Sequence, residues 1–276
     1  MDTALSRDGT SIVYDRVGSG PAVILVDGAF CSRAFGPMPK LAPLLASDFT
    51  VISYDRRGRG DSGDTQPDAV EREIEDLDAL IRAAGGAAHV LGISSGAVLA
   101  LKAAARGLGI MNLALYEPPF VAVSEAGHRA PPDSVAQLTR MIATGRRGEA
   151  VKFYLTQVMG APRILYYGMR IMPLWRKMKA VAPSLPYDAA IMGDFVPPQE
   201  QLASVSVPTL VIGGAKSPAA LRAAVQATAD AVPGARRRML KGQTHNVAVH
   251  TLAPVLTEFF TTHTRSTEEK PRWQPA

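Results

Sequence analysis

Short apolar runs alternate with longer amphipathic or alanine-rich stretches along most of the chain, the pattern of a mostly parallel sheet covered by helices on both faces. Ser11 to Val17 and Ala22 to Val26 read as strands on either side of a Gly18-Ser19-Gly20-Pro21 turn. Phe49 to Tyr54 reads as the next strand and leads into a glycine-rich loop, Arg56-Arg57-Gly58-Arg59-Gly60-Asp61-Ser62-Gly63. A helix over Ala69 to Ala84 follows, then a strand at His89-Val90-Leu91 and a helix over Ala97 to Ala105. Leu113 to Tyr116, Thr209 to Ile212 and Arg238 to Leu240 complete the strands, and a closing helix spans Ala248 to Thr261. Between Pro118 and Pro208 the rhythm stops, in a stretch rich in methionine and aromatic residues. The expected class is therefore α/β, with a core from 1–117 and 208–263, a helical cap over 118–207 and a flexible polar tail from 264–276.

With 276 residues, 47% of them hydrophobic, the chain can bury a large core as one domain with an insertion. Cys31 is the single cysteine, which excludes an internal disulfide and disfavours a structural zinc site; no metal is expected. The 30 basic and 25 acidic residues leave a net charge of +5. The arginines fall in short groups such as Arg146-Arg147 and Arg236-Arg237-Arg238, with no basic stripe interleaved with aromatics. Solvated faces explain them, and nucleic acid is not an expected partner. No apolar run approaches membrane-spanning length, and Met1 to Asp8 lack a basic segment followed by an apolar one, so a cytoplasmic protein without a membrane partner is expected. The expected partner is a small apolar molecule, and the reading is compatible with a homodimer.

The pentapeptide Gly92-Ile93-Ser94-Ser95-Gly96 lies between the strand ending at Leu91 and the helix beginning at Ala97. A chain rich in glycine and serine shows such a pentapeptide by chance, and the bland reading is a glycine turn. The flanking strand and helix turn it into a nucleophile elbow, in which a strained serine stands exposed at a helix N-terminus. Unpaired N–H groups and the helix dipole there favour negative charge beside the serine oxygen.

With Tyr54-Asp55-Arg56-Arg57-Gly58-Arg59-Gly60-Asp61-Ser62 and Gly242-Gln243-Thr244-His245-Asn246, the elbow makes the chain resemble the α/β-hydrolase superfamily over roughly Asp8 to His263. The resemblance implies the α/β-hydrolase fold and a triad in the chain order serine, acid, histidine. Ser94 is the expected nucleophile. His245, in a loop between the last strand and the closing helix, is the expected base. His89 begins a strand, His128 lies in the cap, His250 belongs to the closing helix and His263 precedes the tail, each with a structural or surface reading.

The acid departs from the commonest pattern, which places an aspartate in the loop after the strand Val207 to Gly214; here that loop reads Ala215-Lys216-Ser217-Pro218. A serine hydroxyl cannot stabilise an imidazolium as a carboxylate does. Glu117, at the end of the strand after the nucleophile's helix, is the expected acid, against the bland reading of a strand-end charge facing water. Asp194 and Asp61 are weaker alternatives. The oxyanion donors implied are the backbone N–H groups of Ser95 and Ala29, with Gly28 next to Ala29, although the superfamily more often has histidine where Asp27 stands.

The Asp27-Gly28 loop, the Ser94-Ser95-Gly96-Ala97 elbow and a glutamate after the following strand are together similar to zearalenone lactonases, at motif level. An apolar or aromatic substrate is expected, in a pocket including Phe30, Phe120, Tyr154, Met159, Trp175 and Phe195; any one of these is more often core than ligand wall. The expected reaction is cleavage of an ester or lactone through an acyl-enzyme, without a cofactor. The alternatives are a cofactor-free lyase or acyl transfer on the same triad, and a non-catalytic binding protein.

Overall fold

The computed structural model describes residues 1–66, 69–121 and 129–268. Eight strands form one sheet: β1 (Asp2–Leu5), β2 (Ser11–Val17), β3 (Ala22–Val26), β4 (Thr50–Tyr54), β5 (Ala88–Ile93), β6 (Ile110–Tyr116), β7 (Thr209–Gly214) and β8 (Arg236–Leu240). Their order is β1-β2-β4-β3-β5-β6-β7-β8; β1 and β2 pair antiparallel, as do β2 and β4, and every later pairing is parallel. This is the α/β-hydrolase fold. The central strands β3 and β5 are buried along their whole length, as parallel strands covered on both faces must be.

Among the core helices, α1 (Met38–Leu45), α2 (Val70–Ala83) and α3 (Ser95–Ala105) precede β6, whereas α10 (Ala219–Ala231) and α11 (Val249–Glu268) flank β8. Two apolar layers hold them to the sheet. Ile74, Leu77, Val98, Leu101 and Val225 pack against Ile24, Val90 and Leu113 in one layer; Met38, Leu41, Leu252 and Phe260 pack against Val23, Leu91 and Ile212 in the other. β1 and α1 lacked a legible signal, because β1 buries only Ala4 and α1 carries Pro43 in its interior. The closing helix runs on to Glu268, into the segment expected as a tail; 269–276 lie outside the described residues.

The insertion between β6 and β7 carries α4 (Ser134–Ala143), α5 (Arg147–Phe153), α6 (Arg163–Arg170), α7 (Leu174–Val181), α8 (Leu185–Met192) and α9 (Gln199–Ala203). A π-helical turn, Tyr154–Val158, continues α5. Leu138, Val151, Tyr154, Tyr166, Met178 and Leu185 form a third apolar cluster within it, against which Ala29 and Phe30 of the core also pack. Among the described residues no helix is long and apolar enough to cross a membrane.

His89 is a core residue: its ring stacks on Phe260 with centroids 4.8 Å apart and its Nδ1 lies 2.9 Å from Asn112 Nδ2. Phe260 also meets Phe49 edge-on at 6.0 Å. Truncating Phe260 should therefore leave a cavity at the junction of α11 and the sheet; Phe260→Ala is expected to cost about 3–5 kcal/mol, read from urea denaturation midpoints at unchanged slope.

Candidate active site

Ser94 sits between β5 and α3 with φ 57° and ψ −125°, a backbone conformation that side-chain-bearing residues rarely adopt. Its N–H donates to the Tyr116 carbonyl at 3.0 Å, tying the turn to β6. The glycines two residues away are required by contact. A Cβ on Gly92 would lie 2.5 Å from Ala97 Cα, and one on Gly96 would drive into the Val26 and Asp27 carbonyls. The pentapeptide therefore marks a place where strand, turn and helix touch backbone to backbone.

His245 Nε2 lies 3.2 Å from Ser94 Oγ, and its Nδ1 lies 2.8 Å from Glu117 Oε2. An ionised carboxylate only accepts, so Nδ1 carries the proton and Nε2 is left to accept from the serine. Glu117 is fully buried at the end of β6, with φ 47°. Burial pushes its pKa up, but hydrogen bonds from His245, from the Ser217 hydroxyl and from the Gly214 N–H outweigh that and hold the carboxyl below its ordinary value. The Ser217 and Gly214 bonds, both 2.6 Å, end on Oε1, leaving Oε2 for the histidine. Ser217, the residue standing where the superfamily more often has an acid, thus donates to Glu117. Asp194 instead accepts the Val196 N–H in an exposed turn, and Asp61 pairs with Arg33 at 2.6 Å; neither reaches the histidine.

The loop bearing His245 is pinned from both sides. The Tyr116 hydroxyl donates to the Thr244 carbonyl at 2.5 Å, and the Lys216 N–H donates to the Gln243 carbonyl at 2.8 Å. Gly214 is needed beneath it, since a Cβ there would meet the Gln243 carbonyl oxygen at 2.5 Å. His250 is an exposed residue of α11, and His128 lies outside the described residues.

Gly28 packs directly on the elbow: a Cβ there would lie 3.0 Å from Ser94 Cβ. Ala29 and Ser95 line one cavity with Ser94 and His245. Ser95 opens α3, so its N–H belongs to the first helical turn, which has no partner four residues back. Under this loop lies a charge cluster that the sequence reading missed. Arg56, Arg57 and Arg59 are each at most 2% exposed. Arg56 makes a two-pronged pair with Glu73 at 2.6 Å per arm and reaches Asp188 of α8 at 2.7 Å; Arg59 reaches the other oxygen of Asp188 at 2.6 Å. Arg57 is matched in the same way by Asp76. The available signal was Asp188 itself, a lone carboxylate in the apolar helix Leu185-Pro186-Tyr187-Asp188-Ala189-Ala190-Ile191-Met192, where an unpaired charge is prohibitively costly.

The cavity has a volume of about 460 Å³. Of the pocket residues expected, Tyr154, Met159 and Phe195 line it, with Met192 of the same methionine-rich stretch; Val121, Val158 and Leu221 are further walls that sequence did not single out. The other three expectations are corrected. Phe120 is buried in the core layer on α3, drawn there by the apolar contacts of the sheet. Phe30 turns its ring edge-on to Tyr154, centroids 5.4 Å apart, and packs into the insertion's own cluster. Trp175 faces a separate, basic cavity of about 780 Å³ with Arg146, Arg170, Arg176 and Lys179. Among the described residues lining the Ser94 cavity there is no aspartate, glutamate, lysine or arginine. Among the described residues no three His, Cys, Asp or Glu side chains converge to hold a metal ion.

A model of the alpha/beta hydrolase family matches residues 19–256. The structure of an alpha/beta hydrolase from Sphaerobacter thermophilus is 53% identical, covering 94% of this chain and 100% of that one with a TM-score of 0.88. At 21% identity the fold is shared with an esterase from Thermogutta terrifontis, covering 95% of this chain and 98% of that one (TM-score 0.71). It is shared, also at 21% identity, with the enol-lactonase from Burkholderia xenovorans LB400, covering 94% and 100% (TM-score 0.70).

Asp27, at the start of the loop against Ser94, is buried with Oδ1 unpartnered. Burial pushes its pKa up to about 8, against the pull of Arg59 and Arg56, whose charges Glu73 and Asp188 already balance. The folded chain therefore keeps this proton up to about pH 8, whereas an unfolded aspartate loses it near pH 3.8. Between those values the folded state binds the extra proton, so this group's contribution falls as pH rises and levels off above the folded pKa. Asp27→Asn should flatten that decline, seen as a smaller drop in Tm from about pH 5 to about pH 8.5 than in the wild type; an equal drop in both proteins would count against a protonated Asp27.

Proposed function

Because this chain belongs to the alpha/beta hydrolase family, we propose that it is a serine hydrolase that cleaves a carboxylic ester or lactone of an apolar or aromatic small molecule through an acyl-enzyme. The observation that carries the reading is the unbroken line of contacts from buried Glu117 through His245 to Ser94 Oγ, opening on a cavity whose described lining holds no aspartate, glutamate, lysine or arginine. A carboxylate or ammonium substrate would lose its hydration there with no fixed carboxylate, ammonium or guanidinium counter-charge among the described lining residues, a cost that a neutral ester does not bear. The esterase and enol-lactonase with the same fold, and the motif-level similarity to zearalenone lactonases, agree with this substrate class.

In the proposed reaction Ser94 Oγ attacks the carbonyl carbon while its proton passes to His245 Nε2. Glu117 holds the ring through Nδ1–H and stabilises the imidazolium, and Ser217 and Gly214 keep that carboxylate ionised and correctly turned. The carbonyl oxygen, now anionic, is met by the N–H groups of Ala29 and Ser95. Collapse expels the alcohol, which takes the proton from His245; from a lactone it stays tethered to the acyl group. Water, deprotonated by the same histidine, then adds to the acyl carbon and releases the acid and Ser94. The serine proton thus leaves with the alcohol, and the proton that His245 takes from water passes to Ser94 Oγ as the acid departs, restoring both residues.

Mass spectrometry after brief exposure to a fluorophosphonate should show one adduct on the wild type, absent in Ser94→Ala and His245→Ala; folded wild type without an adduct would refute the activated serine. Glu117→Gln should lower kcat on p-nitrophenyl butyrate by about 10³-fold or more by failing to hold the tautomer, as in other triads. Ser217→Ala should lower it by roughly 10-fold, the scale of one hydrogen bond to a charged group. Near-wild-type turnover of Glu117→Gln would remove Glu117 from the triad.

A further inference from the structure

We propose that Asp188, carried by helix α8 of the insertion, is a positioning residue for both oxyanion donors, and that Arg59 is the arm through which it reaches one of them. The inference rests on the acyl-transfer reading above.

The two oxygens of Asp188 serve different partners. Oδ1 accepts the Ser95 hydroxyl and Arg56 Nη1, each at 2.7 Å, and Oδ2 accepts Arg59 Nη2 at 2.6 Å. Arg59 spends its remaining donors on fixed acceptors. Its Nε donates to Ser184 Oγ at 2.9 Å, and its Nη1 donates to the carbonyls of Gly28 at 2.7 Å and Cys31 at 3.1 Å. The Gly28 carbonyl shares one rigid peptide with the Ala29 N–H, and in a trans peptide the two point in opposite directions. Gripping that oxygen therefore turns the N–H away from Arg59, to the side on which Ala29 and Ser94 line the cavity. Arg56 Nη1 holds the preceding peptide through the Asp27 carbonyl at 3.3 Å. At the second donor, the Ser95 hydroxyl anchors the first residue of α3, so the peptide that presents the Ser95 N–H cannot rock. One carboxylate from outside the sheet thus fixes donors that belong to two different segments, the loop after β3 and the start of α3.

Ion pairs that merely fasten the insertion to the core would change stability and leave the chemistry of folded protein intact. Positioning of donors makes a different prediction, because the oxyanion exists only after attack: kcat falls while KM holds. The test uses full-length Ser95→Ala, Arg59→Lys and Asp188→Asn, each checked for folding by circular dichroism. Turnover of p-nitrophenyl butyrate, the rate of fluorophosphonate adduct formation and the Ki of an aryl trifluoromethyl ketone are measured for each. In every folded variant kcat should drop by about 10- to 100-fold, less than the outright loss of a donor. KM should stay within about twofold, and the phosphonylation rate and the affinity for the ketone, whose adduct carries the oxyanion, should fall with kcat. If Asp188→Asn does not fold, Ser95→Ala and Arg59→Lys decide: the first deletes one hydroxyl and keeps every ion pair, the second keeps the charge and loses the fork. Wild-type kcat and ketone affinity in these folded variants would overturn the positioning role alone. A wild type that neither turns over the ester nor takes the adduct would overturn the acyl-transfer reading and this inference with it.

Discussion

The close approach of β5, Ser94 and α3 is the constraint around which the molecule is arranged. Holding a serine at φ 57° requires that nothing larger than hydrogen occupy positions 92 and 96, because the chain there lies against Ala97 and against the end of β3. The strain persists only because the surroundings over-determine it. The Ser94 N–H is committed to β6, α3 packs on the sheet through an almost wholly buried surface, and Gly28 presses on the serine from the side. The same geometry brings the ends of β3, β5, β6 and β7 to one edge, where open parallel sheets offer a crevice. Glu117 and Gly214 stand at that edge, and the loop after β8 folds over it with His245.

The parts of this arrangement governed by local backbone chemistry were legible in the sequence. Gly92 and Gly96 announced the elbow, the alternation of strands and helices announced the sheet, and β2 and β3 begin and end where their residues said they would. Glu117 stands out by its place at the end of the strand after the nucleophile's helix, since Ser217 leaves no acid at the place more usual in the superfamily. What sequence hid depends on which way a side chain turns in three dimensions. Phe120 and Trp175 share composition with true cavity walls such as Tyr154 and Phe195, yet one faces the core and the other a basic cavity. The arginines of the loop after β4 show in the sequence only as part of a glycine-rich motif, and most arginines are solvated; only the folded chain brings Glu73, Asp76 and Asp188 to them.

Buried ion pairs are a poor source of stability, because desolvation offsets most of their attraction, but they are exacting about geometry. The cluster of Arg56, Arg59, Glu73 and Asp188 draws on the loop after β4, on α2 and on α8, and it leaves no surplus charge for Asp27 to answer. An insertion held in this way is not a lid that drifts over a finished core. Its helix α8 is a structural member of the floor beneath Ser95 and Gly28, and the two units share one set of fixed charges.

The absence of acidic and basic side chains from the cavity among the described residues bears on the end of the reaction as much as on its beginning. On the proposed chemistry, a neutral guest becomes a carboxylate within walls of Val121, Val158, Met192 and Leu221. The anion is created where no lysine or arginine among the described lining residues balances it, near a carboxylate, Glu117, that is held ionised. On that chemistry its hydration free energy pulls it outward, so the apolar lining that admits a neutral substrate also favours release of the acid made from it.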